Sequence, residues 1–152
     1  MPLAWIIIFM GKFERIFVDS NYFIALFNPQ DALCKRAEEL SQKIYEEGNS
    51  LIFSNFIFLE VVTVLSQKKG RSGGIEAGIH LLGHPSFEYI TIDEGLQQET
   101  WKIFQQVKNK NVSFVDCSII ACLEAEGITT LLTFDRKDFI LLQKMFPFVF
   151  YQ

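Results

Sequence analysis

Two periods of hydrophobicity alternate along this chain. Short apolar runs of strand length occur as RIFVD (15–19), SLIF (50–53), FEYITI (87–92) and TTLLT (129–133). Between them lie longer stretches in which apolar residues recur at helical spacing. SNYFIALF (20–27) follows the first strand directly and is stopped by Pro29. In DALCKRAEELSQKIYEEG (31–48), Leu33, Ala37, Leu40 and Ile44 share one face, and Gly48 terminates the helix.

The next helix begins at Ser54 or Asn55, either of which can cap it, and runs through NFIFLEVVTVLSQ. KKGRSGG (68–74) reads as a loop, followed by a short helix to about Gly83. Asp93 caps EGLQQETWKIFQQVKN, and SFVDCSIIACLEAEG (113–127) is a further helix closed by Gly127. FPFVFYQ (146–152) is placed as a last edge strand, the position in which Pro147 is tolerated. Strands alternating with helices predict an α/β domain, a mainly parallel central sheet with helices packed on it.

With 152 residues, 49% of them hydrophobic, the chain has material for one packed domain, assigned to 13–152. Residues 1–12 form an extension: PLAWIIIFM is too short to span a bilayer and lacks the basic start of a signal peptide. Met10 offers an alternative start. The formal charge of −4 argues against a general basic surface for nucleic acid, though not against a local patch. Cys34, Cys117 and Cys122 form no disulfide framework or zinc spacing, which suits a reducing cytoplasm; Cys117 and Cys122 read as buried.

Charge becomes informative where it is isolated. Glu60 is the only ionisable side chain between Leu51 and Gln67, and its i−4 and i+4 neighbours are Phe56 and Val64. No local ion pair satisfies it, so it wants a partner from elsewhere. Asp19 is the only charge between Ile16 and Gln30, and Asp116 the only one between Asn111 and Leu123. Asp135 follows the strand TTLLT. In an open α/β sheet ligands bind at the carboxyl ends of strands, where Asp19 and Asp135 fall. Glu60 and Asp116 reach the same edge from the first turns of their helices.

Three of the four have a structural explanation as well. Asp19 can cap the helix that starts at Ser20, Asp116 can close an S-x-x-D capping box with Ser113, and Asp135 can belong to a turn with Asp138 capping the next helix. Glu60 resists such an account. Four carboxylates brought together repel unless a cation joins them, and hard oxygen ligands suit Mg²⁺ or Mn²⁺. The chemistry implied is phosphodiester hydrolysis.

FVDSNYFIALFNPQD, SNFIFLEVVTVL and SFVDCSIIACLEAEGITTLLTFDRKDF together resemble the PIN-domain ribonucleases, especially VapC-type toxins. The likeness runs from about Ile16 to Phe139, with 70–110 matching only in general pattern. It implies a three-layer, Rossmann-like α/β/α sandwich and a metal-dependent endoribonuclease that cuts single-stranded or loop RNA with Mg²⁺ or Mn²⁺, leaving a 5′-phosphate. Asp19, Glu60, Asp116 and Asp135 then become the catalytic, metal-binding acids. Ser20 and Thr133 match hydroxyl positions that support them, and Asp138 is an addition whose DRKD spacing departs from the family's close acid pair. The resemblance further implies a homodimer and a small cognate antitoxin that inserts against the active-site groove, with no membrane association.

The fold can serve as a binding module with little catalysis, or as a stand-alone RNA-processing nuclease. A phosphatase of the haloacid dehalogenase type needs a D-x-D that FVDSN lacks, and LIFSN offers no phosphoacceptor Asp for a receiver domain. His80 and His84 in HLLGH lack the Glu of a zinc protease and read as exposed residues at a helix end, and GRSGG does not fit a P-loop. Lys68, Lys69, Arg71, Arg136 and Lys137 can contact RNA phosphates, but no spacing fixes them in one patch, which favours a solvated surface. Phe56 and Phe58 read as core.

Overall fold

The computed structural model describes residues 13–152; the proposed extension 1–12 lies outside the described residues. Strand β1 (Arg15–Val18) leads into α1 (Ser20–Leu26) and α2 (Cys34–Glu46). Then follow β2 (Ser50–Ser54), α3 (Asn55–Lys69), α4 (Arg71–Gly83) and β3 (Phe87–Ile90). The chain ends with α5 (Glu94–Gln106), α6 (Phe114–Glu126), β4 (Thr130–Leu132), α7 (Arg136–Gln143) and β5 (Val149–Phe150).

The strands form one five-stranded sheet in the order β3-β2-β1-β4-β5, and every pairing is parallel. "Mainly parallel" is therefore sharpened to wholly parallel, since the C-terminal segment adds β5 beside β4 in the same direction. Ile16, Phe17 and Val18 in β1, Leu51 to Ser54 in β2 and all of β4 are buried consecutively, not alternately. That pattern requires cover on both faces of the sheet, which the helices supply. Phe17, Phe23, Phe53, Ile57, Ile119 and Leu131 lie at the centre of this core. Cys34, Cys117 and Cys122 are buried free thiols.

One segment departs from its sequence reading. RSGG is not loop but the first turn of α4, and the break from α3 is Gly70 alone, whose φ of 80° reverses the chain. The glycines that suggest a loop serve packing instead. A Cβ on Gly74 would overlap Ser66 Oγ and stand 2.9 Å from the Val62 carbonyl oxygen, so only glycine lets α4 approach α3 this closely. The glycine that weakens helix propensity is here required by the helix crossing.

Order in the sheet has a functional consequence. β1 lies at its centre, between β2 and β4, so the turns after β1, β2 and β4 emerge side by side at one edge. Asp19 and Asp135 belong to the first and last of those connections, and α3 with Glu60 starts directly after β2. The main chain reinforces the join, as Asp19 N–H donates to the Leu132 carbonyl (2.9 Å), extending the β1–β4 ladder to the first acid.

Candidate active site

Asp19 is buried, with 6% of its surface exposed, and both carboxylate oxygens are occupied by donors. Oδ1 accepts from Ser20 N–H (2.8 Å), which makes Asp19 the N-cap of α1, and from Ser20 Oγ (3.5 Å). Oδ2 accepts from Thr133 Oγ1 (2.8 Å) and from Asn21 Nδ2 (3.2 Å). The structural explanation and the functional one are thus both realised, because the cap uses one oxygen and leaves the other facing β4.

Asp116 behaves in the same way. It closes the capping box of α6: Ser113 Oγ accepts from Asp116 N–H (3.0 Å), and Asp116 Oδ2 accepts from Ser113 N–H (2.9 Å). The box holds the half-buried carboxylate at the start of α6. Glu60 stands in the second turn of α3, as its sixth residue, rather than in the first turn. It is half-buried, and among the described residues it has no ion-pair or hydrogen-bond partner. Asp135 occupies the N-cap position of α7 without a side-chain cap bond; Asp138 sits inside the first turn. This corrects the expectation that Asp138 would be the cap.

The acids feel one another. Burial pushes the Asp19 carboxyl up to about 7, its bonds to Thr133 and Ser20 oppose this, and Asp116 and Glu60 add to it. Asp116 is also raised, chiefly by burial, with Asp138 and Asp135 contributing against its bonds to Ser113. Asp138, placed last among the candidates by sequence, therefore belongs to the group facing Asp116. None of these five acids forms a salt bridge among the described residues.

The donor set suits a hard divalent cation: carboxylates supported by Ser20, Thr133 and Asn21, with no thiolate or imidazole. Among the described residues no three acidic, histidine or cysteine side chains close into a ready cage. The residues fit an ion that keeps water in its shell and takes few carboxylates, as Mg²⁺ does.

Sequence reasoning passed over Asn21. Its Nδ2 donates to Thr133 Oγ1 (3.1 Å) as well as to Asp19, while its Oδ1 accepts from Phe134 N–H (3.0 Å). The polar triplet DSN at a strand–helix junction is the signal that could have found it.

The remaining candidates settle mostly as surface. Lys69 Nζ donates to the Phe27 carbonyl (2.7 Å), and Arg136 donates to the Tyr151 carbonyl (3.2 Å) while lying over the Phe150 ring. Both cations are thus held by the fold. His80 and His84 are exposed and stack on Phe27 and Phe87. Phe56 and Phe58 pack against the core as expected. Phe56 also lines, with Glu60, Val64, Phe114 and Val115, an apolar groove of about 510 Å³ beside the acids.

Comparison with known proteins agrees with this fold. The PIN domain family model matches residues 16–144. Over 121 residues the chain is 28% identical to the 23S rRNA-specific endonuclease VapC20 of Mycobacterium tuberculosis, covering 79% of this chain and 88% of the relative. The crystal structure of VapC20 superposes with a TM-score of 0.74 at 23% identity, covering 83% of this chain and 94% of that one. FitAcB from Neisseria gonorrhoeae (TM-score 0.65, 16% identity, 90% and 96% covered) and VapBC2 from Rickettsia felis bound to a promoter DNA fragment (0.63, 18%, 90% and 97%) share the fold.

Proposed function

This chain belongs to the PIN domain family, and from that premise we propose that it is a divalent-metal-dependent endoribonuclease, the toxin of a VapBC-type pair. The observation that carries the reading is a buried Asp19 that feels Asp116 and Glu60, with no salt bridge to any of the three among the described residues. A structural acid cluster would be expected to carry its own counter-charge; this one is completed by an ion from solution.

In this reading Asp19, Glu60, Asp116 and Asp135 are the metal-binding and catalytic acids, with Ser20, Thr133 and Asp138 in support. Mg²⁺ or Mn²⁺, when bound, neutralises charge at the scissile phosphate and lowers the pKa of the attacking water. The protein's part is orientation. The Ser20 and Thr133 donors hold Asp19 in one rotamer, and the capping box does the same for Asp116. Asp135 stands exposed at the mouth, and Glu60 borders the apolar groove. RNA is the substrate class, and a ribosomal RNA loop is the first to try because the named relative acts on 23S rRNA. An antitoxin partner is supported by the toxin–antitoxin complexes among the structural neighbours, and a homodimer by the resemblance. Among the described residues no helix is long and apolar enough to cross a membrane.

The test is cleavage of a labelled RNA with Mn²⁺ or Mg²⁺, against chelated controls and the variants Asp19→Asn and Glu60→Gln. Cleavage should require the ion and vanish in both variants while the fold persists. Equal cleavage by wild type and variants would sink the site; unfolding of Glu60→Gln would make Glu60 a structural residue.

A further inference from the structure

We infer that Asn21 is a positioning residue that sets the orientation of Asp19 and ties it to the turn carrying Asp135. The inference rests on the nuclease reading above and names a residue that the reading does not use.

Asn21 is the second residue of α1, where asparagine is a poor helix former and a cap is already supplied by Asp19. Local structure therefore gives no reason for it. Its side chain is spent entirely on the site. Because Oδ1 accepts from the Phe134 backbone N–H, the amide has one orientation, and Nδ2 must point to Asp19 Oδ2 and Thr133 Oγ1. Thr133 has one hydroxyl hydrogen, given to Asp19 at 2.8 Å, so its oxygen accepts from Asn21 and from Asp135 N–H (3.1 Å). The result is one network running from the Asp135 backbone through Thr133 to Asp19, with Asn21 bridging Asp19, Thr133 and the Phe134 backbone. The bridge spans 112 residues of sequence, from the β1–α1 turn to the β4–α7 turn. At 3.2 Å the Asn21 contact is longer than that from Thr133. It therefore aims the carboxylate more than it neutralises it. Loss of such an outer contact typically lowers metal affinity or turnover by about 10–100-fold.

A matched control exists in the same molecule. Asn55 bridges the start of α3 to the β3–α5 turn, accepting from Ile92 N–H (2.7 Å) and donating to the Ile92 carbonyl (3.4 Å), without touching an acid. Full-length wild type, Asn21→Ala and Asn55→Ala are compared by Mn²⁺ titration (calorimetry or electron paramagnetic resonance), by steady-state RNA cleavage and by thermal melting. Asn21→Ala should weaken Mn²⁺ binding and lower kcat by about 10-fold or more, with KM for RNA unchanged. Asn55→Ala should leave Mn²⁺ affinity as in wild type whatever its melting temperature. Asn21→Ser serves if the alanine variant does not fold. Unchanged Mn²⁺ affinity and kcat in a folded Asn21 variant overturns the inference, as does an equal loss in Asn55→Ala. If wild type itself neither binds Mn²⁺ nor cleaves RNA, the nuclease reading fails first and this inference with it.

Discussion

The two ends of the sheet treat negative charge in opposite ways. At the amino end of β1, Arg15 reaches Glu88 with two nitrogens (2.6 and 3.2 Å) and Glu126 with a third contact at 3.1 Å. It also donates to the Glu126 carbonyl at the end of α6, where a cation complements the helix dipole. Two acids there share one cation and are finished. At the carboxyl end of the same strand, Asp19 feels Asp116 and Glu60, and its hydrogen-bond donors among the described residues are all neutral. Counting acids would not separate these regions. What separates them is whether the described fold supplies the counter-charge; at the open end the proposed divalent cation would supply it.

The largest expected effect comes from removing a charge at the open end. Asp116→Asn keeps an acceptor for Ser113 N–H, so the capping box and fold should survive while RNA cleavage falls by roughly 100-fold or more. Kinetics with circular dichroism on the same sample checks this; retained activity would erase the distinction between the two ends.

A sharper test uses pH. Asp19 sits near 7 in the folded protein against 3.8 ordinarily, so between those values the folded form keeps a proton that the unfolded form has released. Stability of the metal-free protein must therefore fall as pH rises from about 4 to about 7 and stay flat beyond, by an amount on the order of a few kcal/mol. Melting in chelator at pH 5 and pH 8 should show that loss in wild type and much less in Asp19→Asn. Mn²⁺ should restore more stability at pH 8 than at pH 5, because it binds the ionised carboxylate.

The smallest effect belongs to the closed end. Arg15→Ala breaks a partly exposed ion cluster, for which about 0.2–1 kcal/mol is typical, and the loss should shrink in high salt. Cleavage should not change. A large drop in activity from Arg15→Ala would mean that the two ends are coupled through β1.

Much of the site is legible in the sequence because an ionised residue in an apolar run is an anomaly that local structure rarely explains. Glu60 is the clearest case: its helix neighbours offer no local ion pair, and it has no salt bridge among the described residues. Asp138 and Asn21 were harder. Asp138 reads as a cap until α7 is seen to start one turn earlier, and Asn21 reads as an ordinary helix-start residue because its partners lie 112 and 113 residues away. RSGG misleads for a related reason. Glycine lowers helix propensity locally, but the requirement it meets, close approach of α4 to Ser66 and Val62, belongs to a neighbouring helix.

The sequence by itself determined most of the strands and helices, the α/β class with a mainly parallel sheet, and which carboxylates have no local partner. Those properties depend on periodicity and on neighbours within a few residues. Only the tertiary structure decided that β1 lies between β2 and β4, and therefore that Asp19, Glu60, Asp116, Asp135 and Asp138 share one edge. It alone buried Asp19 and surrounded it with Thr133 and Asn21, because burial and long-range hydrogen bonds arise from chain closure and leave no trace in local composition.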